Sequence, residues 1–255
     1  MAEKTGGGVK TYDAVLFDLF DTVVHFNRER LPLVRVNGKE VRSSTPPTFE
    51  VLRRTYPQVP FEPFHEAFVE GFREAERIRN STHREVTALE RFAMTFRALG
   101  LPWDERAQEA AGAALEVHMR TLAGVVECTA AYQATLEWTR ARYRMALVSN
   151  FDHAPTARMI LDRHGIASCF EEVLISADIG WRKPKAEVFQ RVLDALGVAP
   201  GRAIFVGDNA DIDVGGAKGV GMAAVWVNRD GAAFPEALDA PEHTVAALPE
   251  IQDFL

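Results

Sequence analysis

A chain of 255 residues, 47% hydrophobic and 25% charged, has the composition of a folded protein rather than a disordered or membrane-embedded one. Its formal net charge of −7 argues against a nucleic-acid or anionic-membrane surface, which would need a basic stripe, so any phosphate site must be local. Two cysteines, Cys128 and Cys169, are too few for a disulfide framework and too far apart for a CxxC motif, and both are expected as free, buried thiols.

The chain starts with a polar stretch containing Gly6, Gly7 and Gly8, unlike a signal peptide and expected to fray. No apolar run reaches the length of a membrane span, which makes a cytoplasmic location the expectation. Residues Ala14 to Phe17 form the first short apolar run, which ends in Asp18-Leu19-Phe20-Asp21-Thr22. Residues 34–41 read as a β-hairpin, because Asn37-Gly38 supplies the two positive φ values of a type I′ turn. Pro46-Pro47 opens a helical stretch. Apolar residues then recur at helical spacing, at Phe64, Ala67, Phe68, Phe72 and Ala75. Looser stripes follow through Val86, Leu89, Ala93 and Phe96, and through Ala110, Ala113, Ala114 and Val117.

Beyond residue 126 four more short apolar runs appear: Met145 to Val148, Val173 to Ile175, Ala203 to Val206 and Ala223 to Val227. Helical patterns separate them, one with Pro155 in its first turn, another with Val188, Phe189, Val192, Leu193 and Leu196 on one stripe. Near-continuous apolar strands suit a parallel sheet covered on both faces, and alternation with helices predicts a doubly wound α/β fold. The expected organisation is an α/β core from residues 1–25 and 126–255, with a mostly helical second domain at 26–125.

Ligands of such sheets bind outside the carboxyl ends of the strands. Those ends are polar here: Asp18, then Ser149-Asn150, then Lys183-Pro184 past the third run, then Gly207-Asp208 with Asp213 further on. Each residue alone has an ordinary explanation, as a helix cap, a turn residue or a solvated lysine. Together they would bring a carboxylate nucleophile, a hydroxyl, a cation and two further carboxylates to one edge.

The succession Asp-x-x-x-Thr, Ser-Asn, Lys-Pro and Gly-Asp-x-x-x-x-Asp resembles the haloacid dehalogenase-like superfamily over essentially the whole core. The inserted helices resemble its mobile cap. The resemblance implies that Asp18 attacks a phosphoryl group to give an aspartyl-phosphate that water hydrolyses. It implies that Asp18, Asp208 and the main-chain carbonyl of Phe20 hold Mg²⁺, with Asp213 supporting the metal or orienting Lys183. Ser149 and the Asn150 backbone would meet the phosphoryl oxygens, and Lys183 would neutralise charge. The substrate would be a small phosphorylated metabolite, with no nucleic acid or membrane involved.

One position departs from the superfamily's phosphatases, which carry an acid two residues after the nucleophile to protonate the leaving group. Here it is Phe20. Asp21, one place further, either replaces that acid or is structural. Metal-independent 2-haloacid dehalogenases carry an aromatic residue there, but typically lack an acid at the position of Asp208. A non-catalytic, ligand-binding member is the third alternative. His25, His83 and His153, and Arg28, Arg30, Arg35 and Arg84, read as incidental loop or solvated residues.

Overall fold

The computed structural model describes residues 12–255, so the Gly6–Gly8 run lies outside the described residues. Along the chain, β1 (Ala14–Phe17) and β2 (His25–Phe26) precede a hairpin of β3 (Leu33–Val36) and β4 (Lys39–Arg42). Four helices follow, α1 (Thr45–Thr55), α2 (Phe61–Thr82), α3 (Ala88–Ala98) and α4 (Glu105–Ala123). The chain returns through β5 (Val126–Glu127), α5 (Ala130–Arg140), β6 (Arg144–Ser149), α6 (Ala154–Arg163) and β7 (Glu172–Ile175). It closes with α7 (Ser176–Ile179), α8 (Ala186–Leu196), β8 (Ala203–Gly207), α9 (Gly216–Gly219), β9 (Ala223–Val227) and β10 (His243–Val245).

The main sheet has the order β10-β9-β8-β1-β6-β7, and every pairing in it is parallel. Alternate residues of β1 face opposite cores, as the two-residue period of a strand requires. Val15 and Phe17 pack with Leu136 of α5 and Ile160 of α6. Leu16 packs with Val188, Phe189 and Val192 of α8 on the other side. This is the doubly wound α/β architecture. Strand β10 was not legible as a strand, since His243 and Thr244 are exposed and only Val245 is buried.

The hairpin forms with Asn37 at φ 48° and Gly38 at φ 77°, one residue longer at each end than the sequence suggests. Helices α1 to α4 share a core of their own, built from Leu52, Phe64, Phe68, Phe92, Phe96 and Met119 among others. The apolar phase of α3 differs from the expected stripe. Thr87 caps it, accepting from Glu90 N while Glu90 Oε2 accepts from Thr87 N, so the helix begins after Val86. Its buried face is Ala88, Phe92 and Phe96, and Leu89 is left exposed. No helix among the described residues is long and apolar enough to cross a membrane. Both cysteines are free, Cys169 buried as expected and Cys128 only half-buried.

Candidate active site

The sheet register sets the site. Phe17 lies opposite both Leu147 and Val206, so Asp18, Ser149 and Asp208 come at the same carboxyl edge, three strands side by side. Asp18 N donates to Val206 O at 2.9 Å, which continues the sheet one residue past β1. Asp18 is buried, and Lys183 Nζ donates to its Oδ1 at 2.7 Å. The same ammonium stands 2.8 Å from Asp213 Oδ1, a second ion pair. Asn150 holds the lysine's backbone from both sides: its Oδ1 accepts from Lys183 N and its Nδ2 donates to Lys183 O, both at 2.9 Å.

Asp213 sits in a single wide turn of π-helix, Ala210–Gly215, whose first amides are capped by the Asn209 side chain. Its Oδ2 accepts from Asn209 N at 3.0 Å, and its carboxylate packs on Gly207. A β-carbon at Gly207 would collide with that carboxylate, which is why the strand ends in glycine. Trp226 Nε1 donates to Asp208 O at 2.8 Å and fixes the backbone from which the Asp208 carboxylate projects.

Asp18, Asp208 and Asp213 offer oxygens that all lie within 4.8 Å of one another. Burial, and then the neighbouring Asp18, Asp213 and Asp21, push the Asp208 carboxyl up to about 8, with Lys183 only partly offsetting them. Burial also raises Asp18 against the opposing pull of Lys183. For Lys183 the two carboxylates outweigh burial and hold the amine protonated well into the alkaline range. The cluster is short of positive charge, and its hard oxygen donors suit a divalent cation such as Mg²⁺. The Phe20 carbonyl accepts no backbone hydrogen bond among the described residues. Ser149 Oγ is buried and also has no partner among the described residues.

The structure brings Asp18, Ser149, Asn150, Lys183, Asp208 and Asp213 to one edge. Asp21 is turned to a different task. At φ 57° it closes the loop after β1, where Oδ1 accepts from Phe26 N at 3.1 Å and contacts His25 Nδ1 at 3.0 Å. Its Oδ2 accepts from Arg28 Nη1 at 3.3 Å. The Phe20 ring, with centroids 4.9 Å from Phe151 and 6.3 Å from Phe26, lines a cavity of about 540 Å³ between the sheet edge and the helices.

The floor of that cavity is a polar network that the sequence did not single out. Asp152 Oδ2 accepts from Arg91 Nε at 3.1 Å and from Arg79 Nη2 at 3.2 Å. Burial would raise this carboxyl, but the two guanidiniums hold it below the usual range. Arg91 Nη2 donates to His118 Nε2 at 3.1 Å, and the other ring nitrogen pairs with Ser44 Oγ at 2.8 Å. Burial, and then the Arg91 charge, push this imidazole down to about 3, so it is neutral. Glu85, fully buried, accepts from Arg79 Nε, Arg182 Nη1, Val86 N and Ser176 Oγ. The segment around it is tied to the sheet side, with Glu85 N donating to Gly180 O and Arg182 N to His83 O.

Glu85 thus joins the helical unit to the loop that carries Lys183. Glu85→Ala would take the carboxylate from the part-buried Arg182 and one of three carboxylates from the buried Arg79, and unfolding free energy is expected to fall by about 1–3 kcal/mol, the cost of leaving hydrogen-bonding groups short of a partner. Urea denaturation measures this. A loss below about 1 kcal/mol would show that the arginines find other partners or water.

Comparison with known proteins agrees with the geometry. The curated relatives it resembles include a phosphoserine phosphatase of Thermus thermophilus, 49% identical over 65 residues, which are 26% of this chain and 26% of the relative. They also include the pyrimidine 5'-nucleotidase YjjG of Escherichia coli, 27% identical over 60% of this chain and 68% of that one. The chain therefore aligns with about a quarter of the first relative's length. Among solved structures, a 2-haloacid dehalogenase from Pseudomonas syringae superposes with TM-score 0.71 at 24% identity, covering 96% of this chain and 98% of the other. The HAD-hydrolase YfnB of Bacillus subtilis, bound to magnesium, superposes with TM-score 0.64 at 18% identity, with the same coverage. At those identities the structures speak for the fold. The family model of haloacid dehalogenase-like hydrolases matches residues 12–221, which span β1 through the turn that carries Asp213, and the chain belongs to that family of hydrolases.

Proposed function

We propose that the protein is a Mg²⁺-dependent phosphohydrolase of a small phosphorylated metabolite, working through an aspartyl-phosphate on Asp18. The observation that carries this reading is the third carboxylate, Asp208, placed within reach of Asp18 and Asp213 where a metal-independent dehalogenase has no use for it. The phosphatase and the nucleotidase among the relatives point the same way. Asp18, Asp208 and the Phe20 carbonyl would hold the ion. Asp213, with both oxygens already engaged, would support them and fix Lys183. Bound Mg²⁺ would supply charge neutralisation at the phosphoryl oxygens.

Lys183 occupies Oδ1 of Asp18, which leaves Oδ2 to attack. The new Oδ2–P bond forms as the bond from phosphorus to the leaving oxygen breaks, and that oxygen departs with the electron pair. Water then attacks phosphorus, the Oδ2–P bond breaks, and the carboxylate is regenerated with release of inorganic phosphate. The Ser149 hydroxyl, without a partner among the described residues, donates to a phosphoryl oxygen, and Lys183 offsets the negative charge shared between carboxylate and phosphoryl group. In the same reading residues 26–125 act as a cap that excludes water during transfer.

The test is a hydrolysis screen over phosphoesters, acyl phosphates and 2-haloacids, run with Mg²⁺ and with a chelator. Phosphate release that stops in chelator is expected. Asp208→Ala should lose calorimetric Mg²⁺ binding and phosphate release together. Halide release in chelator, or a native protein that binds no Mg²⁺, would overturn the proposal.

A further inference from the structure

We propose that the cavity beside Phe20 receives the body of the substrate, and that this body is an aromatic ring bearing a carboxylate that pairs with Arg91. The inference rests on the phosphohydrolase reading and names its substrate class. A volume of about 540 Å³ falls within the range of small-molecule sites. The rings of Phe20, Phe26, Phe68, Phe72 and Phe151 all line it. Phe72 lies on the apolar stripe of α2, whose Phe64, Phe68 and Ala75 are buried, yet it is 48% exposed because it opens onto this space. An unburied aromatic wall is what a flat apolar ligand would cover.

Charge supplies an independent observation. The lining carries Arg28, Arg79, Arg91 and Arg182 against Glu76 and Asp152, a positive excess in a chain of net charge −7. Arg79 is spent on Glu85, Glu76, Asp152 and the Val86 carbonyl, and Arg182 is held by Glu85. Arg28 is exposed to solvent and already shared with Asp21. Arg91 differs: it is only 3% exposed, Nε and Nη2 are engaged, and no described acceptor meets Nη1. Its guanidinium carbon lies 5.3 Å from the Phe68 ring centroid and 5.9 Å from that of Phe72, so cation and aromatic wall form one surface. A buried guanidinium with a free donor beside aromatic rings recognises a carboxylate carried on an aromatic body.

The experiment compares two aryl esters of matched leaving-group acidity, phosphorylated para-hydroxyphenylpropanoate and para-ethylphenyl phosphate, using the full chain with Mg²⁺. Acetyl phosphate, which has neither ring nor carboxylate, reports whether the chemistry proceeds at all. The native enzyme is expected to prefer the carboxylated ester in kcat/KM by about tenfold or more, the effect of one charged hydrogen bond. Arg91→Met should bring that ratio near unity, and Arg91→Lys should keep part of it. Phe72→Ala, at an exposed position that puts little of the fold at stake, should lower kcat/KM for both aryl esters by about fivefold relative to acetyl phosphate. Turnover of acetyl phosphate with equal use of the two aryl esters would overturn the assignment of the cavity and leave the phosphohydrolase reading standing. No phosphate release from any of the three would overturn that reading instead. Should Arg91→Met not fold, the native ratio and Phe72→Ala decide.

Discussion

Replacing Asp18 by asparagine is expected to lower turnover by a factor of about 10⁴ or more while the fold stays in place. The amide has the carboxylate's shape and its oxygen still accepts from Lys183, whose second partner Asp213 is untouched. What disappears is the nucleophile: an amide oxygen does not displace a phosphate ester, and it is a poor ligand for Mg²⁺. Stability should change little, because the substitution also removes a buried charge that burial disfavours. Stopped assays of phosphate release, together with circular-dichroism melting, measure both halves. Turnover near the native rate would refute covalent attack by Asp18, and a collapsed melting transition would make the position structural.

The second large effect concerns the leaving group. Phe20 presents a ring between Phe26 and Phe151, where it has no proton to give. The nearest acid in sequence, Asp21, has both oxygens engaged as acceptors in the loop it closes. His118 is neutral and held by Arg91 and Ser44, and Asp152 is ionised between two arginines. Negative charge must therefore build up on the departing oxygen, and rates are expected to fall steeply as the leaving group becomes more basic. Acyl and aryl phosphates should outrun alkyl phosphates, and Phe20→Asp should raise alkyl turnover by at most the ~10²–10⁴ that general acid catalysis contributes. Asp21→Asn should not single out the alkyl esters. A flat rate series across leaving-group acidity would show that some group does protonate that oxygen.

The sheet and its polar edge were legible because both follow local rules. Short buried strands read as unbroken apolar runs, and Asn37-Gly38 encodes its turn directly. The Asp18, Ser149, Lys183 and Asp208 set could be found because each residue follows a strand and their order along the chain is itself informative. Strand β10 was missed, since an edge strand with two exposed polar residues has no pattern to offer. The cavity floor was missed for a different reason. Arg79 and Arg91 sit at helical positions where a long charged side chain ordinarily solvates a face, and the carboxylate they share in the interior, Asp152, comes from 73 and 61 residues away. His118 depends in the same way on Ser44, 74 residues away. Such burial belongs to the tertiary arrangement and leaves no periodic trace.

The central place of β1 in the sheet also sets an order of events during synthesis. Asp18 and its partner Lys183 are 165 residues apart, and the strands on either side of β1 both come from the second half of the chain. At translation rates of about 5–20 residues per second, the ribosome takes roughly 8–33 s to reach the lysine after the aspartate has been made. The buried core of α1 to α4 runs from Phe49 to Met119, and even Phe151, which packs against it, is made before Lys183. The helical unit can thus assemble while β1 still waits for both neighbours, and the reactive edge comes into being only after Lys183, Asp208 and Asp213 have followed.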